Sequence, residues 1–200
     1  MKKLFTILCA VLVTFGLAAQ TEQGSILLEG SSDLNFSSIK VSSISFDGEE
    51  ADDDALPEDP TSTMGLDVTG GYFVIDGLAA GLILSYNSTS TGDAKSSSMT
   101  VGPIVRYYIG ESGMWAQLSY GMGSSKGNSG GEDEDDWEGP KISSLGIGVG
   151  YAVALSDNVS LNPSLGYRMN TATTESEGGD YVEKSGGIVF SAGIAVHLGN

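Results

Sequence analysis

From residue 64 onward, large apolar residues recur at every second position, and the positions between them are small or polar. Met64, Leu66, Val68, Tyr72 and Val74 share one parity, and Gly65, Asp67, Thr69 and Gly71 share the other. Segments opening at Leu78, Val101, Met114, Leu145, Val159 and Ile188 repeat the pattern, and a weaker first segment carries Ile26, Leu28, Leu34 and Phe36. A period of two is the signature of a strand. Each segment is about the ~9–11 residues that cross a tilted bilayer span. The polar parity decides the solvent. It reads Gly146, Gly148, Gly150, Ala152 and Ala154 on one segment, and Ser160, Asn162, Ser164 and Gly166 on another. On a third it reads Gln117, Ser119, Gly121 and Gly123. Such residues are too small and too polar to form a hydrophobic core, so the large side chains are expected to point outward into lipid. Phe73, Ile83, Ile104 and Trp115 depart from this rule. The expected fold is all-β, an eight-stranded antiparallel up-and-down transmembrane β-barrel. Ile26 to Phe36 closes against Ile188 to Leu198, and Leu82, Val149 and Ile194 lie near the bilayer midplane.

The connections alternate in length. Asp76-Gly77, Gly110 to Gly113 and Ser156-Asp157-Asn158 read as tight hairpin turns. Ser37 to Ser62, Ser88 to Ser97, Ser124 to Lys141 and Asn170 to Ser185 read as long connections. Short turns at one end and long loops at the other place three turns in the periplasm and four loops outside the cell.

Lys2 and Lys3 followed by the apolar stretch Leu4 to Leu17 read as a secretory signal, cleaved among the small residues near Ala18 and Ala19. The expected organisation is a signal peptide over 1–19 and a barrel over 20–200. Cys9, the only cysteine, lies inside the signal, so no mature disulfide or thiolate metal site is expected. Without Lys2 and Lys3, 7 Lys+Arg stand against 26 Asp+Glu, a formal charge of −19. That balance argues against nucleic-acid binding, which needs a basic surface.

With the N-terminus periplasmic, Phe36, Tyr86, Tyr120 and Tyr167 fall toward the outer membrane interface, and Tyr72, Tyr107 and Tyr151 toward the inner one. All seven share the lipid-facing parity, as girdle aromatics do. The opposite parity carries few charges: Glu29, Asp33, Asp67, Arg106 and Arg168, together with His197. Strand direction puts Glu29 and Arg106 at one depth and Asp33, Asp67 and Arg168 at another. Two lumenal clusters are therefore expected across a bore only side chains wide.

At these residues the chain resembles the small outer-membrane β-barrel family of the OmpA, OmpX and OmpW type, often labelled porin-like. The resemblance runs over most of Gly24 to Asn200 and rests on Gly102-Pro103-Ile104-Val105-Arg106-Tyr107-Tyr108, on Ser156 to Leu161, and on Gly166-Tyr167-Arg168. It implies a Gram-negative outer-membrane location with extracellular loops and periplasmic termini. Ser191, Gly193, Val196 and Leu198 resemble the terminal signal read by the barrel-assembly machinery, although the chain ends on Gly199-Asn200 where many such proteins end on an aromatic residue. The implied partners are membrane lipid and, during insertion, that machinery, and the chain is expected to be a monomer.

No catalytic site is expected. His197 is the only histidine, and it lies at the inner end of the last segment, away from the loops. No nucleophile–base pair can be assembled around it. No cofactor is expected. The acidic runs Asp47 to Asp59 and Glu132 to Glu138 read as solvated loops. Oxygen-rich clusters such as Asp52, Asp53 and Asp54, or Asp133 and Asp135, leave divalent cations open, and Trp137 in the second run leaves a partner or lipid contact open. Two roles remain: a structural or surface-interaction barrel with a side-chain-filled lumen, and a narrow channel for small solutes or ions.

Overall fold

The computed structural model describes residues 21–34, 40–46, 49–50, 62–91, 94–128, 137–176 and 179–199, and every regular element among them is a strand. The strands are β1 (Ile26–Leu34), β2 (Lys40–Phe46), β3 (Glu49–Glu50), β4 (Ser62–Ile75), β5 (Leu78–Thr91) and β6 (Ala94–Tyr108). They continue with β7 (Met114–Asn128), β8 (Trp137–Tyr151), β9 (Val153–Ala154), β10 (Val159–Thr174) and β11 (Tyr181–Leu198). Eight of them, β1, β4 to β8, β10 and β11, pair antiparallel in sequence order, and β11 returns to β1. That last seam runs from Ile26 opposite Leu198 to Leu34 opposite Phe190. Closure gives each of these eight strands two neighbours and leaves the barrel without a free edge.

The two parities separate as the side-chain sizes require. Leu82, 60% exposed, stands outside with Leu66, Val105, Leu118, Val149 and Ile194, while the small and polar positions turn inward. The three short turns sit together at one end, hereafter the turn end. Gly77 (φ 75°), Gly110 (φ 54°) and Gly113 (φ 76°) take left-handed conformations there, which cost glycine little. The segment ahead of β1 braces the first turn: Gln23 N–H donates to Asp76 Oδ1 at 2.8 Å, and Gly77 N–H to Thr21 O at 2.8 Å.

Three expectations about strand limits are corrected. The connection placed over Ser37 to Ser62 contains β2, which pairs with β11 through Tyr181–Gly186 and so resumes the stave begun by β1. The connection placed over Ser88 to Ser97 is largely ladder, with Ser88 opposite Ser97 and Thr91 opposite Ala94. β7, β8, β10 and β11 likewise run past Ser124, Lys141, Asn170 and Ser185. These stretches are rich in Ser, Thr and Lys. Backbone pairing needs no apolar side chains, so the ladder outlasts the alternation. At the other end, Ala152 interrupts the sixth stave between β8 and β9, its N–H going to Gly113 O at 2.8 Å, and Leu155 lies beyond the strand.

A line of glycines shapes the wall. Gly81, Gly102 and Gly123 lie on β5, β6 and β7, each offset by two residues from its neighbour's partner. A Cβ at each would overlap a carbonyl of the adjoining strand: Gly70 O, Tyr120 O and Met99 O respectively. The wall turns a corner along this diagonal, as closed sheets do at glycine kinks.

Candidate functional site: the lumen

The inward positions fill the bore in layers. At the turn end, Leu27 from β1, Phe73 from β4, Ala79 from β5, Tyr108 from β6 and Trp115 from β7 form an apolar plug with Ala152 and Ala195. His197 is packed into it, its ring 6.1 Å from that of Phe73 and 5.9 Å, edge-on, from that of Tyr108. This corrects the expectation that the inner face is too polar for any hydrophobic core. Phe73, Ile83, Ile104 and Trp115 are all buried inside the barrel, and Leu27 and Tyr108 join them. A large indole fits because it lies over Gly150, where any Cβ would run into its ring.

Directly above the plug, Arg106 (2% exposed) from β6 reaches across to Glu29 (6% exposed) from β1. The pairing is bidentate: Nη2 to Oε1 at 2.7 Å and Nη1 to Oε2 at 2.8 Å. Arginine's planar fork is suited to this geometry. Asn162 Nδ2 donates to the same Oε2, and Arg106 Nε donates to Gln117 Oε1 at 2.8 Å. The guanidinium carbon sits 4.1 Å from the Trp115 ring centroid, a cation–π contact on the plug's upper surface.

Farther toward the loop end, Arg168 from β10 bridges two carboxylates. Nη1 donates to Asp33 Oδ2 at 2.8 Å, and Nη2 to Asp67 Oδ2 at 3.0 Å. Gly65 makes room for this layer, since a Cβ there would lie 2.7 Å from Asp33 Oδ2. Between the two clusters lies a cavity of about 80 Å³, bordered by Glu29, Arg106, Asp67 and Arg168 and walled by serines, among them Ser31 and Ser119.

The lumenal residues singled out in the sequence thus occupy two sites. Glu29 meets Arg106, and Asp33 and Asp67 meet Arg168. Sequence reasoning missed Asn162, Gln117 and Trp115 as partners of the first cluster. Their inward parity was the available signal. On the outside, Tyr72, Tyr86, Tyr107, Tyr120 and Tyr167 are exposed along the wall, and Tyr151 is partly covered. Ser191, Gly193, Val196 and Leu198 fall within β11, two inward and two outward. Phe36, residues 1–19, Asp52, Asp53, Asp54, Asp133 and Asp135 lie outside the described residues, as does the side chain of Trp137. Among the described residues, no group of three or more His, Cys, Asp or Glu is placed to hold a metal ion.

At the loop end, Lys141 Nζ and Glu175 Oε1 form an exposed pair at 2.6 Å. The hydrogen bond and charge of each hold the Glu175 carboxyl below its ordinary range and the Lys141 ammonium above its own.

No family model and no curated protein matches the chain. Solved structures do. Neisserial surface protein A is 18% identical over 87% of this chain and 97% of its own, with a TM-score of 0.52. AlkL, solved in lipid bilayers, is 16% identical over 92% and 94%, at 0.48. OprG, an outer membrane protein of Pseudomonas aeruginosa, is 14% identical over 91% and 100%, at 0.47. The likeness to the Neisserial protein shows the fold: that of the small eight-stranded outer-membrane barrels.

Proposed function

Taking that barrel fold as the premise, we propose that this protein is a non-enzymatic outer-membrane anchor. Its lumen is sealed, and its work is done by what it holds at the cell surface. The observation that carries this reading is the layering of the bore. An apolar plug, the Glu29–Arg106 pair and the Arg168 bridge lie one above another, with one small cavity between the charged layers. An eight-stranded barrel has an interior just wide enough for side chains, and here those side chains interlock across it. The exposed apolar wall supports insertion in lipid, with the turn end periplasmic and the acidic runs of residues 47–59 and 132–138 outside the cell. Insertion through the barrel-assembly machinery and a monomeric state belong to the same reading. His197, the only candidate acid–base group of its kind, lies within the plug, which supports a packing role for it.

Single-channel recording on the refolded protein in planar bilayers tests the proposal. A sealed anchor gives no steady unitary conductance at moderate voltage. Reproducible unitary steps would establish the channel reading instead, and would require Arg106 and Arg168 to exchange partners during opening.

A further inference from the structure

Lysines are placed lopsidedly on this barrel. Beyond Lys2 and Lys3 the chain has Lys40, Lys95, Lys126, Lys141 and Lys184, and every one of them lies on a strand at the loop end. Among the described residues the turn end carries Glu22, Asp76, Glu111 and Asp157 and no lysine. General anchoring to headgroups would place lysines at both ends, so the loop end has a need of its own. Two of the lysines stand on one face. Lys141 on β8 and Lys184 on β11 are exposed, each on the outward parity of its strand, and no acidic residue shares that parity on either strand. β10 runs between them, with Thr173 opposite Lys141 and Thr171 opposite Lys184. Toward the turn end of the same three strands lies an apolar groove of about 310 Å³, lined by Ile147, Leu165, Tyr167 and Ile188 and by the paired Gly148 and Gly166. Tyr167 links groove and lysines. Its ring leans over Gly186, where a Cβ would lie 2.8 Å from the hydroxyl, and Gly186 stands between Ile188 and Lys184 on β11.

We propose that this three-strand face binds one anionic phospholipid, with an acyl chain in the groove and the headgroup phosphate on Lys184, Lys141 and the two threonines. The inference rests on the membrane-anchor reading above. Depth supports it. Lys184 is four residues beyond Ile188, and Lys141 four beyond Leu145. Four residues of strand cover ~13 Å, or roughly 10 Å along the membrane normal at the usual tilt of a small barrel. A lysine there, able to bend its stem along the wall, reaches the headgroup layer that flanks the hydrocarbon on each side. The occupant must therefore carry negative charge about one headgroup above an apolar chain. Lys141 is partly engaged by Glu175 at 2.6 Å, which leaves Lys184 as the main phosphate contact and makes Glu175 a competitor for the site.

Native mass spectrometry of the refolded protein, titrated in detergent with phosphatidylglycerol and phosphatidylcholine of equal chain length, tests the site. The wild type is expected to retain one phosphatidylglycerol in preference to phosphatidylcholine. Each lysine near an anionic lipid surface strengthens association about fivefold. With Lys141 shared, the double variant Lys141→Gln, Lys184→Gln is expected to lower the preference at least about fivefold. Glu175→Gln, which releases Lys141, is expected to raise it. The control pair Lys95→Gln, Lys126→Gln removes the same charge from β6 and β7, away from the groove, and is expected to leave the preference unchanged. Equal losses in the two double variants would overturn the proposal in favour of diffuse attraction to the whole loop end. Equal retention of both lipids by the wild type would overturn it outright. Either result leaves the anchor reading standing if the same protein still inserts into vesicles, scored separately by heat-modifiable gel mobility. Failure to insert would overturn both.

Discussion

Replacing Arg106 with alanine is the sharpest test of the lumen. The side chain makes four kinds of contact: a bidentate pair with Glu29, a bond to Gln117, a contact with the Tyr108 hydroxyl and the cation–π contact with Trp115. Truncation leaves the Glu29 carboxylate buried with Asn162 as its donor. Breaking one side of a buried pair typically costs ~3–5 kcal/mol, and a desolvated cation–π contact contributes about 2 kcal/mol. The adjoining cavity lets water reach Glu29 once the guanidinium is gone, which lowers the total. We expect a net loss of about 4 kcal/mol. Guanidinium titration in lipid vesicles, followed by tryptophan fluorescence, measures it. The double variant Glu29→Gln, Arg106→Met removes both charges and is expected to recover most of the loss. Two results would refute the reasoning: a loss below about 1 kcal/mol for Arg106→Ala, or single and double losses that simply add, since residues in one network are expected to couple by at least ~0.5 kcal/mol.

Other expectations follow from the wall and the loop end. Leu82→Arg places a charge on the exposed apolar face and is expected to cost ~2–4 kcal/mol in bilayers; unchanged refolding would mean that the faces are inverted. Gly102→Ala is expected to prevent closure or weaken it severely, because its Cβ overlaps the Tyr120 carbonyl, whereas Gly30→Ala meets nothing within 4 Å and should refold normally in a gel-mobility assay. Glu175 should titrate below the ordinary carboxylate range by NMR, and Lys141→Gln should return it there. Because its pKa is depressed, whatever the pair contributes is present above the unfolded pKa and is lost as pH falls through the folded one.

The barrel was legible in the sequence because lipid and lumen impose opposite sizes on alternate residues. Leu82 and Ile194 on one parity, with Gly148 and Ser164 on the other, leave one consistent choice of faces. The ion pairs were legible for a related reason. Charges are scarce on the inner parity, and strand direction sorts Glu29 with Arg106 and Asp33 with Arg168 by depth. The plug was less legible. Leu27 and Tyr108 sit on the inner parity beside apolar neighbours on the outer one, and period two says nothing about which end of the bore is dry. The restart of the first stave at Lys40 and the ladder from Ser88 to Ser97 were hidden because serine-rich sequence reads as loop whether or not its backbone is paired. The glycine diagonal depends on inter-strand register, which no single segment encodes.

The seam between β1 and β11 joins residues at opposite ends of the chain, Ile26 against Leu198. β1 also supplies a carboxylate to each lumenal cluster, Glu29 to one and Asp33 to the other. Until β1 is seated, an open sheet of the remaining seven staves would leave Arg106 without its carboxylate and Arg168 with Asp67 alone. The event that withdraws these arginines from water is thus the same event that brings their counter-charges. A chain stalled one stave short would leave Arg106 on β6 and Arg168 on β10 lacking the carboxylates that β1 carries.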